Sequence, residues 1–531
     1  MPHDHQSSVI KRLPDTINRV ILPLEYSYVL TGDVTVTKTQ KVNQYQQISK
    51  PLPNNHCSIA SHSPIDGFVS NIGYYPSLQT PFTNIKQVFS IEIINDCEFV
   101  FNRPTNTLDI PPDFNITKTS LLNLMSQYGI LGLGGAGFPS AKKLATQKIK
   151  TIIINAVECE SPITVDNCLI INFSDQILTG IELLNRILCP DEIIIAIKES
   201  MHEACHHLQV SLTKLRPDQQ HKIKILPIAN QYPNGYSKTL IKLISQQDIA
   251  KHQHSSELGI VCLNVATIYS IKQVLVDRIP LIERLVTISG NIENTGTYSL
   301  PIGTPLLTIL EGLRVNLDKI QSGEYNLTIR IGGDYMGYDI LNTQHLNQSD
   351  KEEKLIPYLN NTAIDKTTQV ISINYQPSRA TDYLEREPLE CIKCNYCDDK
   401  CPLNLSPQQL YWFSKNIHTD NNQDILKKYH ITSCIECGIC DAVCPSQIPL
   451  AAKFKHAKSI IKHNEKITSN AHVAKLRSEW RTQRIESTSN MQYQHADILI
   501  KSTKTQKQDL LSAALARAKN KKITLHHEIP K

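Results

Sequence analysis

Eight of the fifteen cysteines fall into two short runs, and their spacing limits what they can bind. "CIKCNYCDDKCP" sets Cys391, Cys394, Cys397 and Cys401 at C-x2-C-x2-C-x3-C-P, and "CIECGICDAVCP" repeats that spacing with Cys434, Cys437, Cys440 and Cys444. A constant offset of 43 residues marks an internal duplication. Thiolates this closely spaced hold three irons of a [4Fe-4S] cube, and the fourth, turned away before a proline, ligates the other cube. Cys391, Cys394, Cys397 and Cys444 are therefore assigned to one cluster, and Cys434, Cys437, Cys440 and Cys401 to the second. Structural zinc also takes Cys-x2-Cys hooks, but four ligands per site leave the second x2 step and the terminal proline unexplained. Thiolates in such sites set a one-electron potential, so this segment is expected to move electrons.

A second chemical signal is bare backbone. In "GLGGAGFPSAKKL", Gly132, Gly134 and Gly137 satisfy G-x-G-x-x-G, the spacing that lets main-chain N–H groups approach a pyrophosphate. The loop sits between two stretches of helical character, "KTSLLNLMSQY" before it and "PSAKKLATQK" after it, with Pro139 suited to a first turn. The dinucleotide fingerprint requires a preceding strand, so this is not an ordinary Rossmann turn. Downstream, "TIIINAVECE" reads as a buried strand ending in acids, "SDQILTGIELLNRIL" as a helix and "EIIIAI" as a strand, an alternation that predicts an α/β layer. His202, Glu203 and His206 form H-E-x-x-H, but no third zinc ligand or cleft accompanies them, and an exposed helix face is expected.

Bulk properties narrow the class. A chain of 531 residues predicts three to five domains, and a net charge of +5 from 55 basic and 50 acidic residues does not argue for nucleic acid. No stretch reaches the roughly 18 apolar residues of a membrane span, and the first thirty residues lack a signal peptide's apolar core. A cytoplasmic protein with peripheral membrane contact is expected. Without an export signal the clustered cysteines read as ligands, while Cys57, Cys97, Cys159, Cys168, Cys189, Cys205 and Cys262 read as inert, mostly buried thiols.

The remaining segments supply the scaffold. Residues 25–95 alternate short strands with Gly and Pro turns, and "GDVTVTKTQKVNQYQQI" followed by "SPIDGFV" resembles the barrel-sandwich hybrid of lipoyl and biotinyl domains. The turn that carries the modified lysine in that family holds Ile65, Asp66 and Gly67 here, so a structural role is expected. Strands return in "RLVTISGNI", "GTYSLPIGTPLLTILEGL" and "LTIRIGGDYMGYDI", a β-grasp-like pattern, and "HLNQSDKEEK" reads as a loop or linker. Beyond the cysteines, residues from "KFKHAKSIIK" onward read as a basic helical tail, partly disordered from 485. The expected architecture is multidomain α/β and β. It comprises a barrel-sandwich-like domain (15–112), an α/β domain around the glycine loop (113–280), a β-grasp-like module (281–345), a helical double-cluster domain (375–460) and the tail (461–531).

"GLGGAGFPSAKKL", "INAVECESPITVD", "YPNGYSK", "VCLNVATIYSI", "PLIERLVTISG" and the paired cysteine runs, in this order, resemble the C subunit of the ion-translocating Rnf/Rsx electron transport complex, from about residue 15 to 460. The glycine loop is also similar to the FMN loop of the NADH-oxidising subunit of respiratory complex I. The resemblance implies two [4Fe-4S] clusters, FMN, NADH as donor, an SLBB-type β-grasp module and a peripheral subunit on the cytoplasmic face of the bacterial inner membrane. Its partners would be the other Rnf/Rsx subunits, with membrane contact made through them and no nucleic acid. Carried over residue by residue, Gly132, Gly134, Gly135, Ala136, Gly137, Phe138, Pro139 and Lys143 match the cofactor loop. Asn155, Glu158, Cys159, Glu160 and Asp166 match the acidic segment, and Lys238 and Asn264 match further positions. Two departures stand near that pocket: Ser161-Pro162 where the family has Pro-Tyr, and Gly235-Tyr236-Ser237-Lys238 where it has Gly-Gly-Glu-Lys. They open a second reading, an electron-wiring module without nucleotide binding. A complex I or hydrogenase flavin subunit would have a different C-terminal cysteine arrangement.

Overall fold

A computed structural model describes residues 8–13, 17–26, 29–53, 55–95, 115–160, 162–247, 255–378, 388–418 and 420–524. The end of the expected first domain, Cys97 and Ser161 lie outside the described residues. The first strands are β1 (Arg19–Pro23), β2 (Leu30–Thr31), β3 (Lys41–Val42), β4 (Gln47–Ser49), β5 (Ser58–Ile59), β6 (Ser61–His62), β7 (Gly67–Pro76) and β8 (Gln87–Ile94). They form an antiparallel sheet of order β1-β8-β7-β3 and two small pairs, β2 with β5 and β4 with β6. Val42, Ile48, Ile59, Val69, Ile91 and Ile93 fill its interior, and Leu131 and Leu133 of the glycine segment enter the same core. Burying each of these leucines is worth about 1.5–3 kcal/mol, which ties the loop to the sheet from below.

The second layer begins with α1 (Lys118–Gln127), capped by the Thr117 side chain accepting from the Ser120 N–H, and α2 (Ser140–Leu144). There follow β9 (Thr151–Ala156), α3 (Val165–Leu188), β10 (Glu192–Lys198), α4 (His202–Thr213), α5 (Pro217–Gln220), β11 (Ile223–Ile228), α6 (Ser237–Ser245), β12 (Ile260–Asn264) and α7 (Val265–Lys272). The strands are Ile-rich and parallel, in the order β11-β10-β9-β12. Both faces are covered, by α1, α3, α4 and α7 on one side and α6 on the other, as a buried parallel sheet requires. The helix expected from Ser174 starts nine residues earlier, at Val165, and bends at Phe173 (φ −137°, ψ 28°). The order reverses at β9, where later strands leave to one side and β12 returns on the other. This is the switch point at which α/β sheets open a ligand crevice.

The third sheet extends past the expected boundary at 345. It contains β13 (Glu283–Gly290), β14 (Gly296–Pro301), β15 (Tyr325–Ile331), β16 (Tyr338–Asn342) and β17 (Val370–Pro377), in the order β14-β13-β17-β15-β16. Its central strand, β17, therefore comes last in sequence. Among the helices α8 (Leu306–Gly312), α9 (Leu317–Gln321), α10 (Gln348–Glu353) and α11 (Leu355–Asn361), the third replaces the expected linker. "HLNQSDKEEK" is polar because most of it faces solvent: Asn347 caps α10, while Leu355 and Leu359 anchor the next helix in the core.

The first cysteine run carries α12 (Tyr396–Asp399) and is followed in sequence by α13 (Pro407–Ser414) and α14 (Asp420–Lys428). The second carries α15 (Ile439–Ala442) and leads into α16 (Leu450–Thr524). Residues 412–428 and 452–531 form a second compact unit, in which Asn464 donates to Gln423 (3.1 Å) and Lys427 pairs with Glu465 (2.9 Å). The tail expected to lose order from 485 is helical to Thr524, in keeping with its many Ala, Lys, Leu and Gln residues. Among the described residues no helix is long and apolar enough to cross a membrane.

Candidate functional site

Asn155 is the penultimate residue of β9 and Asn264 ends β12, and the two are register partners at the mouth of the crevice. Asn264 caps α7 by accepting from the Ala266 N–H (2.9 Å), and its amide donates to Asp166 (2.8 Å) and the Asn155 carbonyl (3.4 Å). Over this point lies the glycine loop, closed by the Gly132 N–H donating to the Phe138 carbonyl (2.8 Å). Gly135 (φ +88°) and Gly137 (φ +64°) need the left-handed region, and a Cβ on Gly134 would lie 3.3 Å from that of Asn264. The N–H groups of Gly134, Gly135 and Ala136 make no hydrogen bond within the described chain, and all three residues are exposed. Lys143, whose ammonium lies 5.7 Å from the Phe138 ring centre, uses one donor on the Cys262 carbonyl (3.1 Å), and burial lowers its pKa. Free amides beside a cation with donors to spare fit an anionic phosphate.

The acids have other partners. Glu158 is buried and accepts from the N–H groups of Asp166 (2.8 Å) and Asn167 (3.0 Å), so it serves as the missing cap of α3. Burial, then the neighbouring Asp166, pushes its pKa up to about 8. Asp166 is pushed up to about 6 by burial, against the Asn264 amide and the Arg284 guanidinium, and its Oδ1 has no partner. Glu160 accepts from the main-chain N–H groups of Tyr335 (2.6 Å) and Met336 (3.4 Å) in the β15–β16 turn. The Cys159 thiol is pushed up to about 11 by burial. Lys238 stands half-buried in the first turn of α6.

The cysteine loops repeat their geometry as well as their sequence. Left-handed residues recur at Lys393 and Glu436, at Asn395 and Gly438, and at Asn404 and Gln447. Asp398 accepts from the Gln408 N–H (3.0 Å) as Asp441 does from the Ala451 N–H (2.9 Å). Cys391, Cys394, Cys397 and Cys444 line one cavity, the set the spacing assigns to one cluster. Cys401 acts electrostatically on Cys437, and Cys434 and Cys437 act on Cys440, which links the members of the other set. Among the described residues no three Cys, His, Asp or Glu side chains converge as ligands of a single ion, whereas a cube takes its four thiolates around a volume. Burial pushes the bare Cys397 thiol up to about 12, so the metal's charge is what would hold it as thiolate.

Known families coincide with both sites. Residues 125–273 match the Nuo51 FMN-binding domain, and residues 390–448 match a 4Fe-4S dicluster domain. The C subunit of the ion-translocating oxidoreductase complex of Buchnera aphidicola is 30% identical over 491 residues, 92% of this chain and 94% of its own length. The chain belongs to the family of C subunits of ion-translocating oxidoreductase complexes. The Edwardsiella ictaluri member is 31% identical over 96% of this chain, which spans only 58% of that relative's length. A solved NAD+-reducing [NiFe]-hydrogenase is similar at 14% identity with a TM-score of 0.40, over 64% of this chain and 60% of that one.

Several site residues of this chain escape sequence reasoning. The Leu133 carbonyl, under the glycine loop, accepts from Arg284 (3.0 Å) and Gln369 (2.9 Å), and Thr367 packs against Gly137. Arg284 stands within the quoted "PLIERLVTISG", but nothing in its local pattern marks it as buried. Lys366 is buried with its ammonium on the Ala60 and Gly129 carbonyls, and burial lowers its pKa to about 7. His202, Glu203 and His206 lie on α4 with no converging third ligand among the described residues. Of the remaining cysteines, Cys168 and Cys262 are buried as expected, whereas Cys189 is exposed at the end of α3.

Proposed function

We propose that this chain takes electrons from NADH through FMN into two [4Fe-4S] clusters and passes them to the other subunits of a membrane-bound Rnf/Rsx-type complex, coupled to ion translocation or to reduction of a redox sensor. It would act as a peripheral subunit on the cytoplasmic face of a bacterial inner membrane, reaching the bilayer through its partners. The observation that carries this reading is the set of exposed, unbonded N–H groups at Gly134, Gly135 and Ala136, poised over the β9/β12 crevice in a chain that also holds two duplicated cluster runs. When bound, FMN supplies the conversion of a two-electron hydride into single electrons, and each cluster carries one.

The chain's own residues then have separable tasks. The Gly132–Pro139 loop and Lys143 hold the flavin phosphate, with Asn155 and Asn264 fixing the crevice mouth. Glu158 and Asp166 keep α3 and β12 in place, Glu160 holds the β15–β16 turn, and Lys238 would offer a cation from the first turn of α6. The eight cysteines bind the clusters in the crossed sets given above. The first sheet is proposed as a barrel-sandwich-like domain and the third as an SLBB-type β-grasp module.

The wiring reading is favoured by one observation, that both Glu160 oxygens already accept main-chain N–H groups. Anaerobic absorbance titration of the reconstituted protein, with FMN supplied, decides between the two. Cluster bleaching by NADH supports the dehydrogenase reading; bleaching by dithionite alone supports the wiring module.

A further inference from the structure

The duplicated runs match in cysteine spacing and loop geometry, yet their surroundings differ. Ile392 in the first run is 66% exposed, whereas its counterpart Ile435 is 8% exposed. Asn395 in the first run is exposed, but its counterpart Gly438 is buried, and a Cβ there would lie 2.6 Å from the Tyr335 carbonyl. The second run is pressed onto the body of the protein at a point where only glycine fits.

Two tyrosines make that contact. The Tyr232 hydroxyl donates to the carbonyl of Cys437 (2.6 Å), and the Tyr232 and Tyr335 rings stack with centres 4.7 Å apart and planes 24° apart. Tyr335 is held from behind by Glu160 through its N–H (2.6 Å). Tyr232 belongs to the turn that contains Gly235, whose carbonyl accepts from the Asn155 side chain (2.8 Å). A Cβ on Gly235 would lie 2.2 Å from the Val157 carbonyl, so the turn is wedged against the end of β9. Asn155 meets Asn264, and Asn264 meets Gly134. An unbroken series of contacts therefore runs from the glycine loop to Cys437.

We infer that Tyr232 and Tyr335 are positioning residues that seat the second cysteine run against the flavin-binding layer. The cluster held by Cys401, Cys434, Cys437 and Cys440 is then the inward one, which exchanges electrons with the flavin. The cluster held by Cys391, Cys394, Cys397 and Cys444 is the outward one. With the groups bound, reduced flavin would release its two electrons one at a time; each would reduce the inward cluster, pass to the outward one and leave to a one-electron centre on a partner before the next follows. The electron flow rests on the proposed function; the seating does not.

The test is an EPR-monitored dithionite titration of the full chain reconstituted with iron and sulfide, comparing wild type with Tyr232→Phe, Tyr335→Ala and Tyr335→Phe. Signals are assigned to each cluster with Cys440→Ser and Cys394→Ser. Losing the phenol's donor beside the cluster should leave the inward cluster less reduced at a fixed potential, by up to about fivefold. The outward cluster should not move. Tyr335→Ala should alter the inward signal and Tyr335→Phe should restore it. A shift confined to the cluster lost in Cys394→Ser, or unchanged midpoints in Tyr232→Phe and Tyr335→Ala, would overturn the assignment. Because dithionite supplies the electrons, failure of NADH oxidation leaves this result readable. If Tyr232→Phe does not assemble its clusters, Tyr335→Ala against Tyr335→Phe carries the same comparison.

Discussion

Replacing Arg284 with Met tests whether the glycine loop is held from beneath by charge. The guanidinium donates to the Leu133 carbonyl (3.0 Å) and, at longer range, to the Thr368 carbonyl (3.4 Å), and it lies within electrostatic reach of Asp166 and Asp365. A hydrogen bond from a charged donor is worth about 1.5–3 kcal/mol, but Gln369 also donates to the Leu133 carbonyl, so that acceptor is not orphaned. Asp166 keeps only the Asn264 amide, and its uncompensated charge adds a cost above its folded pKa of about 6. That pKa is raised from 3.8, so the native state holds a proton that the unfolded chain releases between the two values. Stability from this group is therefore lost as pH rises through that window. The variant should cost about 2–3 kcal/mol at pH 8 and about 1–2 at pH 5.5. Hydrogen exchange reads this locally, because the Gly132 and Leu133 amides are bonded to Phe138 and Thr267. At pH 8 their exchange should quicken by roughly 30- to 150-fold, and adding Asp166→Asn should recover the pH-dependent part. Exchange unchanged at both amides, or a cost that grows toward low pH, refutes the reasoning.

Other sites give further expectations. Glu158 holds a proton natively up to about pH 8, against 4.5 for the free group, so wild-type stability should fall across that range. Glu158→Gln keeps an acceptor for α3 and should flatten that fall, which melting curves from pH 5 to 9 would reveal; equal slopes would sink the assignment. Gly135→Val puts a branched side chain at φ +88°, 3.0 Å from the Gln369 amide oxygen. It should weaken FMN binding at least about tenfold in a fluorescence titration while leaving iron content unchanged. Gly438→Ala, at φ +72° with Tyr335 in the way, should cost about 1–3 kcal/mol and lower the iron bound by up to half, whereas Asn395→Ala should keep both clusters.

The parts of this protein that were legible in its sequence are those whose chemistry is local. Eight cysteines at fixed spacing and a cluster of glycines carry their meaning within a dozen residues. Isoleucine-rich strands alternating with apolar helices predict the parallel layer for the same reason. What escaped is non-local. β17 is the centre of its sheet although it follows a polar stretch that reads as a linker, because pairing with β13 and β15 is set by topology rather than by its own pattern. Arg284, Lys366 and Gln369 look like ordinary polar residues until the third sheet carries them under the glycine loop.

The duplication shows the same limit within one motif. Spacing alone makes the two runs equivalent, and by that spacing each would supply three ligands to one cluster and the fourth to the other. Their roles separate only where a neighbour intrudes: Tyr335 fills the space beside Gly438, and Tyr232 bonds to Cys437. A single difference in sequence, glycine for asparagine at matched left-handed positions, is the local trace of that contact. Both residues tolerate the backbone conformation, so the substitution is explained by crowding, not by the turn. A repeated motif that loses its side chain in one copy therefore points to the copy that is docked, and under the proposed function that copy is the one nearest the source of the electrons.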